Sequence, residues 1–159
     1  MNAAVPDAPD GSTVPVTLPV GVASVGAARA AMTAAWVGAA ARVELTVTDA
    51  DTAQTLGSGD VPVLGTPRVL ALAEAATVAA TTTRLPPGAT TVGTRVELEH
   101  RRPTPVGRRV VAEARLVKAD DRRLTFDVTV REVDAVVATG RVERVLVDRH
   151  RFVESAFGS

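Results

Sequence analysis

Residues 65–84 read GTPRVLALAEAATVAATTTR, and the rest of the chain is organised around them. Thr66 followed by Pro67 predicts a helix start. A threonine oxygen can accept one of the N–H groups that a first turn leaves unpaired, and proline at the first helical position has no N–H to leave. Beyond that point the residues are apolar on nearly every side, from Val69, Leu70 and Leu72 to Ala76, Val78 and Ala80. A helix apolar all round is buried all round. This one is too short, and too often interrupted by polar residues, to span a bilayer. Glu74 is its one carboxylate, and the i±4 positions around it are Leu70 and Val78, so its own helix offers it no cation.

Upstream, residues 42–48 (RVELTVT) alternate Val43, Leu45 and Val47 with polar neighbours, a strand period. Thr48-Asp49 opens a short helical turn to about Leu56, which Gly57-Ser58-Gly59 ends. Downstream, Leu85-Pro86-Pro87-Gly88 forces a turn, and four strand-like runs follow at 91–101, 108–118, 122–131 and 136–147. The links between these runs are short, which makes neighbouring strands antiparallel. The order is strand, buried helix, four antiparallel strands, an α+β arrangement. A single curled sheet covers only part of such a helix, and a second copy is the most economical cover for the remainder. The topology predicts a hot-dog fold, a curved antiparallel sheet wrapped around one long central helix, assembled as a homodimer.

The predicted domain covers residues 41–153, with a tail at 154–159 and an extension at 1–40. Within the extension, residues 1–19 are rich in Pro, Ala, Gly and Asp and read as a flexible tail. Residues 27–40, which include Trp36, read as a short helix. Asp7, Asp10, Pro15 and Pro19 precede the apolar part and no basic start is present, which argues against a signal peptide and for a cytoplasmic protein. With 18 basic and 18 acidic residues the formal net charge is +0, so no field favours nucleic acid or an anionic membrane. The chain has no cysteine and two histidines, which leaves little to build a metal site and removes thiolate chemistry. Neither metal nor cofactor is expected.

Strict alternation along residues 91–101 puts Val92, Thr94, Val96, Leu98 and His100 on the inward face, and Thr91, Gly93, Arg95 and Glu97 on the other. His100 then points where the helix lies, and Glu74 is the buried carboxylate on that helix. An imidazole and a carboxylate meeting in an apolar cleft suit general acid–base catalysis. Thr66 adds a hydroxyl at the helix mouth, where unpaired N–H groups can polarise a carbonyl. Gly93 permits close approach of backbone or substrate. Each residue also has a structural role open to it: Thr66 as a cap, Glu74 as a partner for an arginine, His100 as a core histidine, Gly93 as a bulge. The Arg101-Arg102 and Arg108-Arg109 pairs read as solvated strand ends, with phosphate contact as the alternative.

The run Val63-Leu64-Gly65-Thr66-Pro67, Glu74 in the helix, residues 86–94 (PPGATTVGT) and His100 together resemble the fluoroacetyl-CoA thioesterase-like family of hot-dog proteins. Residues 104–107 (TPVG), 122–126 (RRLTF) and 147–152 (VDRHRF) extend the resemblance over roughly residues 42–152. It implies an acyl-CoA thioesterase that releases free acid and CoA, with Thr66, Glu74 and His100 catalytic and with Gly93 and Arg144 beside the substrate. Members adapted to the fluorinated substrate carry phenylalanines before the threonine, whereas residues 43–65 here contain no aromatic. A different short or medium acyl-CoA is therefore expected. The alternatives are a non-catalytic acyl-thioester binding or sensing module, and an acyl-thioester dehydratase or hydratase.

Overall fold

The computed structural model describes residues 24–158. The tail expected over residues 1–19 lies outside the described residues. A first helix, α1 (Val25–Ala34), is capped by Ser24, whose hydroxyl accepts from the Ala27 N–H. Strand β1 (Ala40–Thr46) follows, then a tight turn at Asp49–Asp51 and a one-turn helix α2 (Ala53–Leu56). The central helix α3 (Thr66–Thr81) leads into β2 (Ala89–His100), β3 (Arg109–Asp120), β4 (Arg123–Glu132) and β5 (Ala135–Asp148). A last helix, α4, spans Arg149–Phe157 and takes in most of the stretch expected as a tail.

The five strands form one antiparallel sheet in the order β1-β3-β4-β5-β2. Register shifts leave an extra residue in β2 between Gly93 and Arg95, in β3 between Leu116 and Lys118, and in β5 between Val136 and Ala138. Each inserted residue bends its strand and adds twist, so the sheet curls across α3. The predicted hot-dog architecture is the one observed. Leu116, Leu124, Phe126 and Val142 from the sheet and Val69, Leu72, Ala73 and Ala76 from α3 make the shared core. Thr77 and Thr81 are also fully buried and turn their hydroxyls back onto α3 carbonyls, which satisfies them without a partner.

Burial of α3 is one-sided within the chain. Ala71, Ala75 and Ala79 are exposed, and Val78 keeps 42% of its surface in water. The far side of the helix is thus the surface for which the sequence demands a further cover. Helix α1 is shorter than expected and ends at Ala34, and Trp36 lies in the turn beyond it. The Trp36 ring is buried in the core all the same, while Gly38 donates to the Leu116 carbonyl and aligns the chain with β3.

Candidate functional site

The start of α3 differs from the sequence expectation in a way that matters. Gly65 occupies the capping position, in extended conformation, and Thr66 is the first helical residue. Pro67 stands second, where its missing N–H costs nothing. The Thr66 hydroxyl is therefore not spent on the helix. Its Oγ1 lies 2.8 Å from His100 Nδ1, and the Thr66 N–H has no backbone partner among the described residues. His100 closes β2, and its Nε2 is buried with no hydrogen-bond partner among the described residues. Burial pushes the imidazole below the ordinary histidine range, with the Arg102 backbone acting the other way.

Around this pair lies a cavity of about 300 Å³, walled by Gly59, Val61, Val63, Leu64 and the Arg101–Arg102 backbone turn. One side chain missed in the sequence holds that wall in place. Asp51 accepts from the Thr48 N–H and hydroxyl and from Arg68 Nε at 3.0 Å, and its carbonyl receives the Gly65 N–H. Burial pushes the Asp51 carboxyl up, but the bonds from Thr48 and Arg68 outweigh it and hold the group below the usual carboxylate range. The sequence signal was a threonine followed three residues later by an acid, a capping box closed by a shorter side chain.

Glu74 does not meet His100 within the chain. Eight positions along α3 amount to about 12 Å of rise from Thr66, and Glu74 instead meets an arginine from β5. Arg144 Nη1 donates to Glu74 Oε2 at 3.0 Å. Its other donors go to Thr91, Nε to Oγ1 and Nη2 to the carbonyl, both at 3.0 Å. Arg144 is 6% exposed, whereas the Glu74 side chain retains 33% of its surface. Burial lowers the Arg144 pKa, and the charge of Glu74 opposes it. The guanidinium stays protonated over the working range. Glu74 Oε1 accepts no bond among the described residues, so one oxygen is fixed and the other is presented outward.

The bulge in β2 corrects the alternation read from sequence. Gly93 pairs with Arg144, and Arg95 with Glu143, which leaves Thr94 as the extra residue. Upstream of it Thr91 and Gly93 face the helix; downstream Val96, Leu98 and His100 do. A Cβ at Gly93 would overlap Glu74 Oε2 and come within 3.4 Å of Arg144 Nη1, so glycine is what lets the carboxylate lie against the strand. The five residues singled out in the sequence thus form two groups: Thr66 with His100, and Glu74 with Gly93 and Arg144. Among the described residues no cluster of three metal-ligating side chains occurs and no helix is long and apolar enough to cross a membrane.

A family model described as fluoroacetyl-CoA-specific thioesterase matches residues 47–150. The solved fluoroacetyl-CoA thioesterase is 26% identical with a TM-score of 0.71, over 76% of this chain and 94% of the other. A thioesterase superfamily member from Thermus thermophilus is 28% identical with a TM-score of 0.70, over 76% and 89%. A hot-dog-like protein from Thermanaerovibrio acidaminovorans is 25% identical with a TM-score of 0.69, over 77% and 93%. No curated protein matches the chain by sequence.

Proposed function

Because this chain belongs to the fluoroacetyl-CoA-specific thioesterase family and is a thioester hydrolase, we propose that it hydrolyses a short acyl-CoA at a site shared between two copies of itself. The observation that carries the reading is the Thr66–His100 pair at 2.8 Å, with Nε2 buried and unpartnered beside a small cavity. An orphaned buried nitrogen costs stability, and a substrate water is the partner it lacks. In this reading His100 Nδ1–H donates to Thr66 Oγ1, so the Nε2 lone pair takes a proton from water. The Thr66 hydroxyl and N–H then face the thioester carbonyl and stabilise the oxyanion. The volume of about 300 Å³ sits at the small end of ligand pockets, which favours the short end of the expected acyl range. Arg102 lines the mouth, where a CoA phosphate is the matching ligand.

The second copy supplies the carboxylate. Strand β2 is an unpaired edge, and the exposed Ala71, Ala75 and Val78 lie on the same helix as Glu74. Two β2 edges paired antiparallel about a two-fold between Gly93 and His100 bring Gly93 and Glu74 of one copy to His100 of the other. In one route Glu74 Oε1 orients the water whose proton His100 takes; in the other it attacks the thioester, expels CoA thiolate and forms an anhydride that His100-activated water then hydrolyses. In both, the proton gained by His100 is returned to the thiolate to give CoA. Single-turnover hydrolysis in ¹⁸O-water tests the covalent route: label found in Glu74 establishes it, since that label enters only when water attacks the glutamyl carbon of an anhydride.

The test of the activity is CoA release from a panel running from acetyl-CoA to palmitoyl-CoA and including fluoroacetyl-CoA. Turnover should peak among the short chains and fall by about 10²–10⁴ in His100→Ala. Tight binding of the panel without CoA release would replace the hydrolase with an acyl-thioester sensing module.

A further inference from the structure

A second, larger cavity of about 700 Å³ lies at the opposite end of the molecule from the Thr66–His100 pair. Its walls are α1, the Pro86–Gly88 turn, the end of β5 and α4. Helix α1 stands outside residues 47–150, the stretch that the family model matches, and α4 runs beyond it. The Pro86–Gly88 turn and β5 lie within that stretch, so the cavity joins parts of the shared domain to α1.

Three features give it the character of a ligand site. First, its lining is mainly apolar, with Val25, Met32, Pro86, Leu146 and Phe152, and Val25 and Phe152 are 84% and 44% exposed at its rim. Secondly, the α1 wall is held in place. Arg29 donates through Nε and Nη2 to both oxygens of Asp121 at 2.6 and 2.7 Å, and the Thr33 hydroxyl donates to the Asp121 carbonyl at 2.6 Å. Thirdly, its charge is unbalanced. Arg29 is neutralised by Asp121, and the Asp148 carboxylate is turned to cap α4 by accepting from the Arg151 N–H. Arg122 lies near Asp121 without bonding it. Arg122 and Arg151 both line the cavity, and neither side chain makes a salt bridge or hydrogen bond among the described residues.

A pocket of this volume lies in the range that holds small molecules. Two free guanidiniums beside an aliphatic floor match an anion carried on an apolar chain. We propose that this cavity binds a medium-chain carboxylic acid, with its carboxylate between Arg122 and Arg151 and its chain against Met32, Pro86 and Phe152. A free acid is also the class of compound that thioester hydrolysis releases, but the site stands apart from Thr66 and His100 and does not depend on the identity of the acyl group they act on.

Isothermal titration of the full-length chain with decanoate tests it. One molecule should bind per chain, about tenfold more weakly for each two carbons removed. The double variant Arg122→Glu/Arg151→Glu, at exposed positions, should weaken decanoate by roughly tenfold. It should not weaken decyltrimethylammonium, the matched cation. Ala28→Phe, also at an exposed position, fills the cavity and should weaken both. Decanoate binding that survives both variants, a cation bound as well as the acid by the unaltered chain, or no binding at millimolar decanoate would each overturn the proposal.

Discussion

The two halves of the proposed site are built on opposite principles, although one helix carries a residue of each. At Glu74 all three guanidinium nitrogens are engaged: Arg144 reaches Glu74 Oε2 and the hydroxyl and carbonyl oxygens of Thr91. At the mouth of the cavity the Thr66 and His100 side chains bond only each other among the described residues, and the remaining ring nitrogen has no partner. The tied half is a positioning device, since an arginine bonded through all three nitrogens is held in one arrangement and Glu74 inherits it. The under-bonded half has capacity to spare, which is what a group that must bind, accept and return a proton requires.

If the halves meet only across two copies, the sharpest way to break the comparison is to separate them genetically. Glu74→Gln and His100→Ala should each lower kcat by about 10²–10⁴. Mixing the two inactive proteins and allowing subunits to exchange should return about a quarter of the wild-type rate, because half of the dimers then carry one intact site of two. A mixture that stays inactive while exchange is demonstrated by a labelled partner would place the whole reaction in one chain.

A smaller effect sharpens the positioning role. Gly93→Ala puts a methyl group where Glu74 Oε2 now lies. The displaced atom is the end of a flexible side chain, so the fold should lose less than about 1 kcal/mol by urea denaturation. Activity should nevertheless fall by about 10- to 100-fold, because a carboxylate displaced by an ångström is displaced from the reacting atoms. Loss of stability in proportion to activity would make Gly93 a packing residue and no more.

The fold was legible because it is carried by local signals: the apolar run of α3, the Pro86-Pro87-Gly88 break and the short links between strands. The chemical residues were legible as types, but their pairing was not. Glu74 could be checked against its own helix, where Leu70 and Val78 one turn away offer no cation; Arg144 reaches it through the β2–β5 register, which no local pattern records. The phase of β2 was lost for a related reason. Val92, Thr94, Val96 and Leu98 continue an unbroken alternation across the bulge, so nothing in the spacing marks Thr94 as the extra residue, and Thr91 and Gly93 were read onto the wrong face. Thr66 was read as a cap because threonine caps well, yet the capping position is one earlier, and the displacement is what frees its hydroxyl for His100.

The least dramatic prediction concerns pH and acts on one half alone. His100 is neutral in the reading proposed, and burial moves its pKa below 6.5. The acid limb of kcat/KM should therefore lie below that value, because the imidazole keeps its lone pair to lower pH than a solvated histidine would. Stability should move in the same direction. A histidine whose folded pKa is depressed contributes fully above its unfolded value near 6.5, and that contribution is lost as pH falls through 6.5 toward the folded value, because the unfolded chain takes up the proton first. His100→Gln keeps a polar group in the same place without a titration, and should flatten both profiles over that interval. An acid limb that persisted unchanged in His100→Gln would have to come from a group other than His100.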